Sequence, residues 1–277
     1  MQGRYAAFTF VDRIVSFDPG IAARGTFHIP AGIPRFASSL LAEATGQLAA
    51  WAAMAKLDFR VRPVAGVAHE TVYLGTPRPG DHLETEIRID SCDDEAVSYQ
   101  GVARIGGATV LELHDVVGPM LPAAEFDDPV AMREFLDLLL GRGASVDRFG
   151  GVQELRLVPL DAEAGRFASA RLKVPAEAPF FADHFPRRPV LPGTLLLDCM
   201  TRLAAGVVAE ARPGRTPIVR MVSDVKLRAF TEPGATLELR ATLEPREKDT
   251  MVAVLEARAQ GQKRPVGGAR ATFEAVR

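Results

Sequence analysis

Cysteine is nearly absent from this sequence: Cys92 and Cys199 are the only two in 277 residues. Two thiols cannot build a disulfide framework or a cysteine-rich zinc site. An excess of charge of one sign is missing too. Lys and Arg number 33 against 35 Asp and Glu, a net charge of −2, so there is no electrostatic footprint for nucleic acid or an anionic membrane. No uncharged apolar stretch is long enough to span a bilayer. The opening MQGRYAAFTFVDRIVSF carries Arg4, Asp12 and Arg13 and lacks the unbroken apolar run of a signal peptide. The cytoplasm is the expected compartment. There is no Gly-rich nucleotide loop and no cluster of ligating side chains, so no metal, nucleotide or redox cofactor is expected.

What the chain does have is an internal repeat. Its length suits two domains of ordinary size. RPVAGVAHETVYLGTPRPGDHLETEIRI in the first half reads like TPIVRMVSDVKLRAFTEPGATLELRATL in the second. The pair Pro79-Gly80 recurs as Pro233-Gly234, each time ahead of an alternating strand, His82–Ile89 and Ala235–Thr242. The segment SLLAEATGQLAAWAAM, from Ser39, resembles TLLLDCMTRLAAGVVA, from Thr194. Two copies of domain size argue duplication rather than a solenoid.

Each half orders its elements alike. A short strand pair comes first, Phe8–Ser16 with Gly25–Ile29 and Glu154–Pro159 with Ala168–Val174. One helix follows, then several period-2 strands broken by Gly, Pro and Asp turns. The helices are apolar nearly all round; Ser39–Ala55 has only Glu43, Thr45 and Gln47 as polar side chains beyond its start. Such a helix must be wrapped by the rest of the fold. The expectation is an α+β protein, an antiparallel sheet curled around one buried helix, made twice. Residues 1–120 form the first unit and 152–277 the second. Residues 121–151 are a linker with one helix, which Asp128-Pro129 starts and Gly141 stops.

The segment PFFADHFPRRPVLPGTLLLDCM, residues 179–200, carries the chemistry. Prolines stiffen the loop that holds His184. Gly193, without a Cβ, leaves an approachable N–H at a helix start, where the dipole favours negative charge. Asp198 follows in the same helix. A base, a free N–H and a carboxylate are the parts needed to take a proton from beside a carbonyl.

His184-Phe185-Pro186, then Pro189-Val190-Leu191-Pro192-Gly193, then Asp198 resemble the motif of the 3-hydroxyacyl-acyl-carrier-protein dehydratase family, in order and in spacing. Val11-Asp12-Arg13-Ile14 also looks like the start of such a domain. Arg187 departs from the family, which usually has glycine there. The resemblance implies a double hotdog: two repeats, each with a sheet around a central helix, packed as an internal pseudo-dimer that can assemble further. It also implies active sites between the two units, one supplying His and the other the acid.

Aligning the helices pairs Glu43 with Asp198, Gln47 with Arg202 and Ile29 with His184, so the first half keeps the carboxylate and loses the base. The resemblance therefore places His184, Gly193, Glu43 and Gln47 in one site, and makes Asp198 the less favoured acid. Phe185, Val190 and Pro192 would contact substrate. Arg35, Arg187 and Arg188 cluster in the pre-helix loops, where they either meet an acidic acyl carrier protein or are merely solvated. The implied reaction is loss of water from 3-hydroxyacyl thioesters of acyl carrier protein or CoA, as in fatty-acid or polyketide-type biosynthesis.

The plainer readings are specific. Asp198 has an ion-pair partner one turn away in Arg202. His69, His82 and His114 read as sheet or surface residues. Trp51 reads as core, with a second role in lining an acyl tunnel. Rival functions are an enoyl-thioester hydratase, a hotdog thioesterase and a non-catalytic partner of a lipid or polyketide assembly.

Overall fold

The computed structural model describes residues 5–244 and 250–276; Arg4, weighed above, lies outside them. The first half contains β1 (Arg13–Asp18), β2 (Ala22–His28), α1 (Ser39–Lys56), β3 (Val61–Pro63), β4 (Val67–Tyr73), β5 (His82–Cys92), β6 (Ala96–Ile105) and β7 (Ala108–Pro122). Helix α2 (Pro129–Leu140) follows. The second half contains β8 (Leu157–Glu163), β9 (Phe167–Lys173), α3 (Gly193–Ala211), β10 (Thr216–Leu227), β11 (Thr236–Leu243), β12 (Thr250–Ala259) and β13 (Gly267–Val276).

The strands join in the order β1-β2-β5-β6-β7-β4-β10-β13-β12-β11-β9-β8, with β3 beside β7. Read from either end, the order meets equivalent strands of the two repeats. The seam is the antiparallel pair β4 and β10, with Thr71 opposite Val222 and Glu70 opposite Ser223. Alternation drives the curl. In β5, Leu83, Thr85, Ile87 and Ile89 are buried while His82, Glu84, Glu86 and Arg88 face out. The repeated Pro-Gly turns have a backbone reason: Gly80 and Gly234 adopt φ of +92° and +77°, where a side chain would be strained.

Helices α1 and α3 lie against each other and against the sheet of their own half. Leu41 and Leu48 are fully buried, each contributing roughly 1.5–3 kcal/mol. The architecture is α+β, two curled sheets each holding a helix, joined edge to edge as a double hotdog. Helix α2 starts on an Asp128 carboxylate that accepts from Val130 N at 3.1 Å and ends at Gly141.

Two expected strands are shifted, and Glu154–Pro159 lies instead at Leu157–Glu163. The Phe8–Ser16 strand begins only at Arg13, because donors ahead of it are taken by side chains. Phe8 N donates to Asp183 at 2.8 Å and Phe10 N to Gln47 at 2.9 Å. A backbone spent on such bonds has none left for a ladder.

Candidate active site

The loop before α3 runs over residues 174–192, about twice the length of its counterpart at 29–38. The extra length makes a 3-10 turn, Pro179–Ala182, that points the chain back toward the helix start. His184 N donates to the Phe180 carbonyl at 2.9 Å, and Val190 N donates to the His184 carbonyl at 3.1 Å. The peptide bond between His184 and Phe185 is cis. His184 stacks on Phe185 at 4.0 Å and meets Phe8 edge-on at 5.7 Å.

His184 Nδ1 lies 3.0 Å from the Val190 carbonyl. A carbonyl can only accept, so Nδ1 carries the proton and Nε2 is left basic. Burial holds the imidazole below its ordinary pKa, with Arg62 acting in the same direction and Glu43 against it.

Glu43 comes to this place from the other half. Its Oε2 accepts from Thr194 Oγ1 at 2.6 Å and its Oε1 from Gln47 Nε2 at 2.9 Å. Gln47 is fixed in turn: its Oε1 accepts from Phe10 N, and its Nε2 also donates to the Phe8 carbonyl at 3.0 Å. Thr194 follows Gly193 at the start of α3, which has no side-chain cap, so its first N–H groups have no partner within the helix. A Cβ at Gly193 would run into Leu227. His184, Phe185, Glu43, Gln47, Gly193 and Trp51 all line one cavity of about 220 Å³.

The remaining sequence candidates separate. Asp198 does not line this cavity. Arg35 Nη2 reaches both its oxygens at 2.7 and 2.8 Å, and Arg202 Nε lies 3.1 Å away. Arg35 is thus tied to Asp198, with its side chain about half exposed. Val190 and Pro192 do not line the cavity either. Val190 is buried beside Phe185 and holds the His184 ring through its carbonyl, and Pro192 immediately precedes α3. Both position the site rather than wall it. Arg187 and Arg188 are half exposed, near Asp128 at 4.0 Å and Glu125 at 3.6 Å. Trp51 is buried and also lines the cavity. Among the described residues no group of His, Cys, Asp or Glu is placed to hold a metal, and no helix is long and apolar enough to cross a membrane.

Three residues at the site escaped the sequence reading: Thr194, Arg62 and Asp183. Thr194 had a signal, since it repeats Ser39. Asp183, buried next to His184, accepts from Tyr5 N, Ala7 N and Phe8 N at 2.8, 2.7 and 2.8 Å. Burial pushes its pKa up and these three N–H groups pull it back. It fastens the N-terminal segment, and with it Phe8, against the His184 ring. Asp183→Ala strands three donors, at roughly 1–3 kcal/mol each where water cannot replace the carboxylate. We expect a melting temperature lower by several degrees and a reduced kcat, read by thermal melts and initial rates. An unchanged melt would mean that the three bonds hold nothing.

The fold and the cavity between its halves define a double hotdog. The ApeI-like family model, ApeI dehydratase, matches residues 161–263. The 3-hydroxyacyl-(acyl-carrier-protein) dehydratase FabZ of Latilactobacillus sakei subsp. sakei (strain 23K) is 37% identical over 106 residues, covering 38% of this chain and 76% of that one. The chain belongs to this dehydratase family. Other FabZ dehydratases align over 51–59% of their length. Two solved structures share the whole architecture. An oleoyl thioesterase from Lactobacillus plantarum superposes with a TM-score of 0.61 at 12% identity, over 92% of this chain and 97% of that one. The 12:0-ACP thioesterase from Umbellularia californica gives 0.58 at 12%, over 92% and 94%. At such identity the likeness is one of fold.

Proposed function

We propose that the chain dehydrates 3-hydroxyacyl thioesters at a single site between its halves, residues 1–120 and 152–277, joined by the linker 121–151. The observation that carries this is that His184 and Glu43, from different halves, line one apolar cavity at the uncapped start of α3. His184 Nε2 takes the proton from C2. The Gly193 N–H and the helix dipole hold the negative charge that develops on the thioester oxygen. The enolate electrons return to form the C2=C3 bond as C3–O breaks and the Glu43 carboxyl gives its proton to the departing hydroxyl, which leaves as water. The site resets when His184 releases the proton it took and Glu43 regains one. Gln47 and Thr194 orient Glu43. The carrier, acyl carrier protein or CoA, stays outside, and the exposed Arg187 and Arg188 are the cations proposed to meet it.

The test is incubation of the purified chain with a 3-hydroxyacyl thioester, and in reverse with the enoyl thioester. Formation of the conjugated enoyl thioester, followed by its absorbance, is the expected result. Release of free thiol in its place would make the protein a thioesterase and overturn this reading.

A pH profile adds a second check. A general base must be neutral to act, so the rate falls as pH drops through its pKa. Burial lowers that pKa in His184, so the acid limb of kcat/KM should lie below the usual imidazole value of about 6.5. A limb at or above that value would show that burial does not govern this imidazole.

A further inference from the structure

Arg62 lines the same cavity. It sits in β3, opposite Leu121 of β7, and its guanidinium lies 3.9 Å over the Phe185 ring. Among the described residues no hydrogen bond or ion pair engages it, and its Nε is buried without an acceptor. Asp127, the carboxylate it feels most strongly, already accepts from the Tyr5 hydroxyl at 2.8 Å and from Asp128 N at 2.7 Å. A donor of a charged group buried without an acceptor is costly unless something completes it. Burial lowers its pKa only to about 10, so it stays charged at neutral pH.

Position says what completes it. His184 stacks on the Phe185 ring at 4.0 Å, and the Arg62 guanidinium lies 3.9 Å from the centre of the same ring. Arg62 thus shares a contact ring with His184 and acts electrostatically on its imidazole. It interacts with Tyr5, which meets Trp51 edge-on at 6.3 Å. Trp51, Met54 and Met132 are all buried and line the cavity. They give the cavity an apolar wall suited to an acyl tail.

We propose that Arg62 is a specificity-determining residue that binds an oxygen of the acyl tail, so that the preferred chain carries a carbonyl or carboxylate beyond C3 rather than plain alkyl carbon. The proposal rests on the dehydratase reading for the identity of the chain as substrate. A guanidinium presents several donors in a fixed fork, which suits either oxygen group, and a plain alkyl tail would leave those donors unsatisfied.

Trp51, the only tryptophan in the sequence, lets fluorescence report binding without turnover. The full chain is titrated with amide-linked acyl-pantetheine analogues, which neither eliminate nor hydrolyse. Alkyl, oxo and terminal-carboxylate chains are matched in length over a series. We expect an oxygen-bearing analogue to bind roughly 10- to 100-fold tighter than its alkyl match, and Arg62→Met to erase the difference. The oxo and carboxylate arms tell the two oxygen sources apart. Equal binding by all three, tightest binding of the alkyl chain, or a preference that survives in Arg62→Met would overturn the proposal. If Arg62→Met does not fold, the wild-type preference and its weakening in Arg62→Lys decide. Binding preference without any dehydration would sink the dehydratase reading and leave the role of Arg62 standing.

Discussion

Replacing His184 with alanine is expected to cut dehydration by ~10²–10⁴-fold, the usual cost of removing a general base, while the protein stays folded. The fold should survive because the side chain makes one hydrogen bond, to the Val190 carbonyl, and borders an existing cavity. The backbone bonds of residue 184 to Phe180 and Val190 remain. Loss of rate therefore has to come from chemistry. Added imidazole should recover part of the activity, because the vacated space opens on the cavity and a small base can enter it. The acid limb of the pH profile should also disappear. Near-full turnover in the variant would remove His184 from the mechanism; a lost rate together with a collapsed melt would assign it a structural role instead.

Much of this arrangement was legible in the sequence where the cause is local. The Pro-Gly turns are forced by left-handed glycines at Gly80 and Gly234, and the strands after them alternate as a half-buried sheet must. Asp128-Pro129 and Gly141 bracket α2 for reasons contained within that helix. The pairing of Glu43 with the far half needed the repeat and the family resemblance together. What stayed hidden depends on distant chain. Phe8 and Phe10 look like strand residues, yet their N–H groups are taken by Asp183 and Gln47. Arg62 reads as one of two arginines in an alternating stretch, and nothing local says that it turns inward over Phe185. Val190 looks like a wall residue, but its carbonyl does the work.

The sharpest result expected separates the two carboxylates: Glu43→Gln should lower the rate by ~10²–10⁴-fold, and Asp198→Asn should leave it nearly intact. Motif spacing alone favours Asp198, which shares a half with His184. The contacts favour Glu43. Asp198 is held by Arg35 and Arg202 away from the cavity, whereas Glu43 is held by Thr194 and Gln47 within it. Glutamine keeps the shape of Glu43 and can still accept from Thr194, but its amide has no acidic proton to give. Asparagine at 198 weakens two partly exposed ion pairs, to Arg35 and Arg202, each worth about 1 kcal/mol or less, so a modest fall in melting temperature is the main effect. Single-turnover dehydration of one accepted thioester, set beside the melts, reads both variants. A dead Asp198→Asn beside an active Glu43→Gln would place the acid in the second half alone. The first half would then be a scaffold, and the duplicated fold would serve stability rather than catalysis.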